Sequence, residues 1–221
     1  MGSHLNNFKW VVFDLDNTLF PESSYFKIIL TEFAKKNHIP LSEFEDIFNN
    51  FDCYRATKPN IFKFILMEIN RYSDENYERL FDLYTTLKLA IEPYEGVQKG
   101  INNLLKKGFK LGVITNGVID SQRNKWQSLN LENKDMIYFK PAREFGADKP
   151  NNQSFDSFMD ELKADYTRTI FVGDKYKNDI EYPESRGGLG MLIDEQKTDN
   201  YSGMRFNNTS EAISQILQMK D

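Results

Sequence analysis

The chain has 221 residues, 40% hydrophobic and 28% charged, an ordinary balance for a globular protein long enough to bury a real core. A net charge of −5 disfavours non-specific attraction to nucleic acid or an anionic membrane, so the expected partner is a small molecule. One cysteine and two histidines exclude a disulfide framework, a Cys/His zinc site and a histidine-based triad.

No apolar run approaches the roughly 18 residues of a membrane span, and no signal-peptide pattern opens the sequence. A reducing cytoplasm is the expected compartment. The first apolar run, Lys9 to Leu15, predicts a buried strand, and it ends in two carboxylates, Asp14 and Asp16, within DLDNTLF. From Ser24 to Ile91 the period becomes helical. Phe26, Ile29, Leu30, Phe33 and Ala34 fall on one face of a first helix. Ser42 and Glu45 form a capping-box pattern that opens a second helix carrying Phe44, Ile47 and Phe48. NIFKFILMEINRY follows Pro59 as a third, and after Ser73 the residues Tyr77, Leu80, Phe81, Tyr84 and Leu87 stack in a fourth. Four such helices can bury their stripes against one another as a small bundle. Only FDCYRATKPN breaks the period, and it carries Tyr54, Arg55 and Lys58.

Beyond Ile91 short apolar runs alternate with helical patterns. Strands are predicted at Phe109 to Thr115, Met136 to Phe139, Arg168 to Gly173 and Leu189 to Ile193. Helices are predicted at Val97 to Lys107, Ser121 to Leu129, Gln153 to Lys163 and Ser210 to Met219. The alternation predicts an α/β fold, a Rossmann-like parallel sheet with helices on both faces, built from residues 1–22 and 92–221. Residues 23–91 would then form an inserted α-helical domain.

Ligands of open parallel sheets bind outside the carboxyl ends of the strands. Asp14 and Asp16 follow the first strand. Thr115, Asn116 and Gly117 follow the second and lead into a helix whose first N–H groups can receive an anion. Lys149 lies in GADKP after the third, and Asp174 and Asp179 lie in GDKYKND after the fourth. Four carboxylates converging on one edge repel one another unless a hard divalent cation lies among them, and all-oxygen ligation suits Mg2+. The lysine and the hydroxyl supply the charge and the donor that a phosphoryl group needs. Taken alone, the pair Asp14 and Asp16 is compatible with a metal site, a turn or a catalytic dyad.

DLDNTL, VITNG, GADKP and GDKYKND, in that order, resemble the four motifs of the haloacid dehalogenase (HAD) superfamily, and the inserted helices resemble its helical C1 cap. ITNGVIDSQRNKW and AREFGADKPNNQSFD further resemble the phosphatase branch that includes phosphoglycolate, N-acylneuraminate-phosphate and pyrimidine-nucleotide phosphatases. The resemblance implies a Mg2+-dependent phosphatase of a small phosphorylated metabolite, working through an aspartyl-phosphate. It implies that Asp14 is the nucleophile and that Asp16 is the general acid and base, a service worth roughly 10² to 10⁴ in rate. Haloacid dehalogenases of the family lack an acid two residues after the nucleophile, so dehalogenation is disfavoured.

The resemblance further implies that Asp16, Thr115, Asn116 and Lys149 hold the phosphate. Asp14, Asp174, Asp179 and the backbone carbonyl of Asp16 would hold the metal, Asp174 directly and Asp179 either through water or from just outside the ligand set. Asn17 and Thr18 read as the tight turn leaving the site. Tyr54, Arg55 and Lys58 would meet a polar or anionic leaving group when the cap closes. Two alternatives use the same residues: a phosphomutase or phosphotransferase that returns the phosphate to a sugar, and a non-catalytic regulator that binds Mg2+ and phosphate. Monomer and homodimer are both compatible with the sequence. One stretch departs from the family: Tyr182, Pro183 and Arg186 occupy positions usually held by small residues, and Pro183 suits a helix only in its first turn.

Overall fold

The computed structural model describes residues 8–194 and 200–219. The chain divides into two compact units, a larger one built from the residues up to Pro21 and from Glu92 onward, and a smaller one, Glu22–Ile91.

Among the described residues, the larger unit is organised by six parallel strands: β1 (Trp10–Phe13), β2 (Lys110–Thr115), β3 (Ile137–Pro141), β4 (Thr169–Gly173), β5 (Leu189–Ile193) and β6 (Met204–Phe206). Their spatial order is β3-β2-β1-β4-β5-β6, so β1 lies at the centre and the order reverses between β1 and β4. In WVVF, Val11, Val12 and Phe13 are all buried, which is why the strand reads as an unbroken apolar run rather than an alternation. Successive side chains point to opposite faces. Val12, Ile114, Phe171 and Leu192 join Phe155, Phe158, Met159 and Leu162 of α8 (Asn152–Leu162) in one apolar layer. Full burial of one such side chain stabilises the fold by about 1.5–3 kcal/mol. α6 (Val97–Lys106) and α10 (Thr209–Gln218) pack on each other, with Ile213 against Gly100. α7 (Ile119–Ser128) follows β2, and Trp126 stacks on Phe139 of β3 at 4.9 Å.

The predicted strands stand within one to two residues of the observed ones, and β6 was not predicted. It is three residues long and only half buried, so its sequence carries no apolar run. Asp179 arrives on a π-helical turn, Tyr176–Ile180, that runs into a short helix, α9 (Glu181–Ser185). Pro183 is the third residue of α9, within the first turn, where an N–H has no partner inside the helix.

The smaller unit contains α1 (Glu22–Lys36), α2 (Glu45–Asn49), α3 (Phe51–Thr57), α4 (Ile61–Glu68) and α5 (Asp74–Thr86). Phe26 of α1 gathers Phe51, Tyr84 and Phe62 at 4.5, 5.2 and 5.7 Å, and the Tyr25 hydroxyl donates to the Tyr84 carbonyl. Two expectations need correction. The capping box at Ser42 does not form: Leu41–Phe44 is a 3₁₀ turn and α2 begins only at Glu45 without a side-chain cap. FDCYRATKPN is not a break, because α3 runs through Phe51–Thr57; it buries only Phe51 and so shows no periodic stripe. Among the described residues, no helix is long and apolar enough to cross a membrane.

Candidate active site

Asp14 follows β1 directly, and its N–H donates to the Val172 carbonyl of β4 at 2.9 Å. Because Phe13 pairs with Val172, the parallel register brings Asp14 level with the end of β4 and hence with Asp174. The π turn then returns Asp179 over Gly173, where any Cβ would lie 2.3 Å from the Asp179 Cβ; glycine is required for that approach. One carboxylate oxygen from each of Asp14, Asp174 and Asp179 lies within 4.8 Å of the others.

Lys149, 2% exposed, projects its ammonium into this cluster and donates to Asp14 Oδ1 at 2.6 Å, Asp179 Oδ1 at 2.7 Å and the Ile114 carbonyl at 2.8 Å. Burial, followed by the charges of Asp179 and Asp16, outweighs the pull of Lys149 and pushes the Asp14 carboxyl up to about 7. Burial and the neighbouring Asp179 raise Asp174 well above the carboxylate range. Burial alone would lower Lys149, but the charges of Asp14 and Asp179 prevail and keep it above the ordinary lysine value. Asp14 and Asp179 share Lys149 while the exposed Lys175 ammonium lies 3.9 Å from Asp174, so three carboxylates in a largely buried place keep an excess of negative charge. The donor set therefore fits a hard divalent cation.

Asn116, expected at the phosphate, has its side chain engaged with the backbone of Lys149. Its side chain donates to the Lys149 carbonyl and accepts from the Lys149 N–H, both at 2.7 Å, and so fixes the backbone that carries the lysine. Thr115, the last residue of β2, is buried and donates from Oγ1 to Gln122 Oε1 at 3.1 Å. Asp179 Oδ2 accepts the Lys175 N–H at 3.0 Å, so both of its oxygens are already engaged by the protein. Asn17 sits in the left-handed region (φ 58°) and donates its N–H to the Phe20 carbonyl, as a tight turn requires. The buried Thr18 anchors that turn, its carbonyl accepting from Thr209 Oγ1 at 2.5 Å.

Asp16 shows what sequence reading missed. Both of its oxygens lie 2.8 Å from Lys125 Nζ, and Oδ2 also accepts from Gln122 Nε2 at 3.1 Å. Neither Lys125 nor Gln122 was singled out by motif. The available signal was the poverty of apolar residues in IDSQRNKWQS, a helix between two buried strands.

The three residues of the helical unit have partners within it. Tyr54 donates its hydroxyl to Asp46 Oδ2 at 2.6 Å, Arg55 Nε lies 3.3 Å from Glu22 Oε2, and Lys58 Nζ sits 4.7 Å from the Phe64 ring centre.

Residues 11–187 match the family described as haloacid dehalogenase-like hydrolase. The chain is 27% identical to a glyceraldehyde 3-phosphate phosphatase of Methanocaldococcus jannaschii, over 96% of this chain and 98% of that one. It is 24% identical to a protein of the same name from Methanothermobacter thermautotrophicus, over 86% and 88%. In fold it resembles the putative HAD-hydrolase YfnB from Bacillus subtilis, solved bound to magnesium, with a TM-score of 0.70 at 17% identity, covering 96% of this chain and 99% of that one.

Proposed function

The chain belongs to the haloacid dehalogenase-like hydrolases, and from that premise we propose that it is a Mg2+-dependent phosphatase of a small phosphate monoester. The observation that carries this reading is the cluster in which Asp14, Asp174 and Asp179 gather and the ammonium of Lys149 joins Asp14 to Asp179. Asp14, Asp174 and the Asp16 backbone carbonyl would hold the metal, with Asp179, whose oxygens accept from Lys149 and the Lys175 N–H, acting through water or from just outside the ligand set. Bound there, the cation supplies neutralisation of the phosphoryl oxygens and of the carboxylates around it.

Asp14 attacks phosphorus opposite the leaving oxygen; a P–O bond to the carboxylate forms as the ester P–O bond breaks, giving an aspartyl-phosphate. Asp16 gives a proton to the leaving oxygen and then takes one from the water that hydrolyses the acyl phosphate. Lys149 holds Asp14 in line and offers positive charge to a phosphoryl oxygen. The Thr115 hydroxyl hydrogen can rotate from Gln122 toward a second oxygen, and the N-terminus of α7, which follows β2, would favour the same developing charge. The carboxyl group of Asp16 two residues beyond Asp14 favours ester hydrolysis over dehalogenation.

The name shared by the archaeal relatives nominates glyceraldehyde 3-phosphate as the first ester to test. The experiment measures inorganic phosphate released from it, from other sugar phosphates, from nucleoside monophosphates and from phosphoglycolate, with Mg2+ and with a chelator. Release to water that stops with the chelator is expected. Recovery of the phosphate on a second sugar would make the protein a phosphotransferase, and no release from any ester would make it a binding protein.

A further inference from the structure

α7 differs from the other long helices of the sheet unit in what it buries. α6, α8 and α10 bury Val, Ile, Leu, Phe and Met side chains, whereas the buried residues of α7 are Ser121, Gln122, Asn124 and Lys125. A fully buried lysine is costly unless it is paired, and replacing a buried pair by apolar residues often leaves stability no worse. Packing alone therefore gives no reason for Lys125, whose side chain is 0% exposed.

Its geometry supplies one. Lys125 Nζ meets both Asp16 oxygens at 2.8 Å, and Gln122, one turn earlier on the same face, donates to Asp16 Oδ2 at 3.1 Å. The same Gln122 amide accepts from Thr115 Oγ1 at 3.1 Å. Room for it is made by Gly117, at φ 130°, where a Cβ would lie 2.6 Å from Gln122 Nε2. An otherwise mobile Asp side chain is held from two directions, and its setting is tied to the Thr115 hydroxyl.

We infer that Lys125 and Gln122 are positioning residues that aim the Asp16 carboxyl group at the leaving oxygen. The inference rests on the phosphatase reading, in which the ester P–O electron pair passes to the leaving oxygen as that oxygen takes the Asp16 proton. An alkoxide needs that proton, whereas a dinitrophenolate leaves without it.

The test compares kcat/KM for two esters in the full chain with Mg2+: 2,4-dinitrophenyl phosphate, and glyceraldehyde 3-phosphate or whichever alkyl phosphate the wild type turns over best. Lys125→Met is expected to lower the alkyl value by about 10²-fold and the dinitrophenyl value by about tenfold less than that, as Asp16→Asn should. Gln122→Leu is expected to show the same split at smaller size, and it decides the matter should Lys125→Met fail to fold. Equal losses on both esters, or no loss on either, overturn the inference while leaving the phosphatase reading intact. A wild-type chain that hydrolyses neither ester overturns both.

Discussion

At Lys149 a single ammonium serves two carboxylates and a carbonyl, at 2.6, 2.7 and 2.8 Å. Removing it in Lys149→Met leaves Asp14 and Asp179 facing one another with no counter-charge. We expect a loss of about 10²–10³ in kcat and, in chelator, a stability loss of about 3–5 kcal/mol. Mg2+ should restore much of the stability and little of the turnover, which thermal melts and steady-state kinetics on the same samples will separate. The carboxyls themselves predict a pH dependence. Asp14 moves from 3.8 to about 7 in the folded protein, and Asp174 moves in the same direction. Without metal the folded state keeps protons that the unfolded chain has released, so stability is fully present below about pH 4 and declines as pH rises toward about 7. A cation that replaces those protons should raise Tm more at about pH 8 than at about pH 5. An equal Mg2+ increment at both pH values would contradict the assignment. The acids, the hydroxyl and Lys149 were legible because each stands at a strand end beside a recognisable motif. Lys125 was not, since the poverty of apolar residues in α7 does not say which of its polar side chains turns inward.

At the scale of elements, the π turn at Tyr176–Ile180 sets Asp179 against the backbone of β4. Gly173→Ala should push the turn outward at a cost of about 1–3 kcal/mol and weaken Mg2+ binding in proportion, as read by a Mg2+ titration of Tm. In the helical unit, Arg55 is 47% exposed but reaches Glu22, which is 4% exposed. The sequence suggested a residue free to meet substrate, and the structure shows one that also serves a buried carboxylate. Arg55→Ala should therefore cost about 1–3 kcal/mol of stability; a raised KM with unchanged Tm would instead mark Arg55 as a substrate contact. The helices with apolar stripes, α1, α4 and α5, were visible in the sequence because their period is 3.6. α3 was not, because one buried phenylalanine makes no period, and β6 was hidden by its three-residue length.

For the whole molecule, the central feature is where the strand order reverses. β1 lies between β2 and β4, so the loops that follow these strands leave from one edge of the sheet, with Asp14 and Asp174 at adjacent strand ends. Alternation of strands and helices announced the parallel sheet. The strand order was not announced, because register and neighbours are decided by packing between segments far apart in sequence. The helical unit is inserted where the first strand has already delivered its two acids, so the candidate site residues lie on both sides of the insertion and depend on the sheet to meet. In the proposed reaction Asp14 carries the phosphoryl group. Quenching the enzyme during turnover and reducing any acyl phosphate with borohydride, followed by peptide mass spectrometry, tests it most directly. Reduction of the side chain at residue 14 and nowhere else, absent in Asp14→Asn, is the predicted result; turnover with residue 14 unmodified, or modification at another acid, would contradict it.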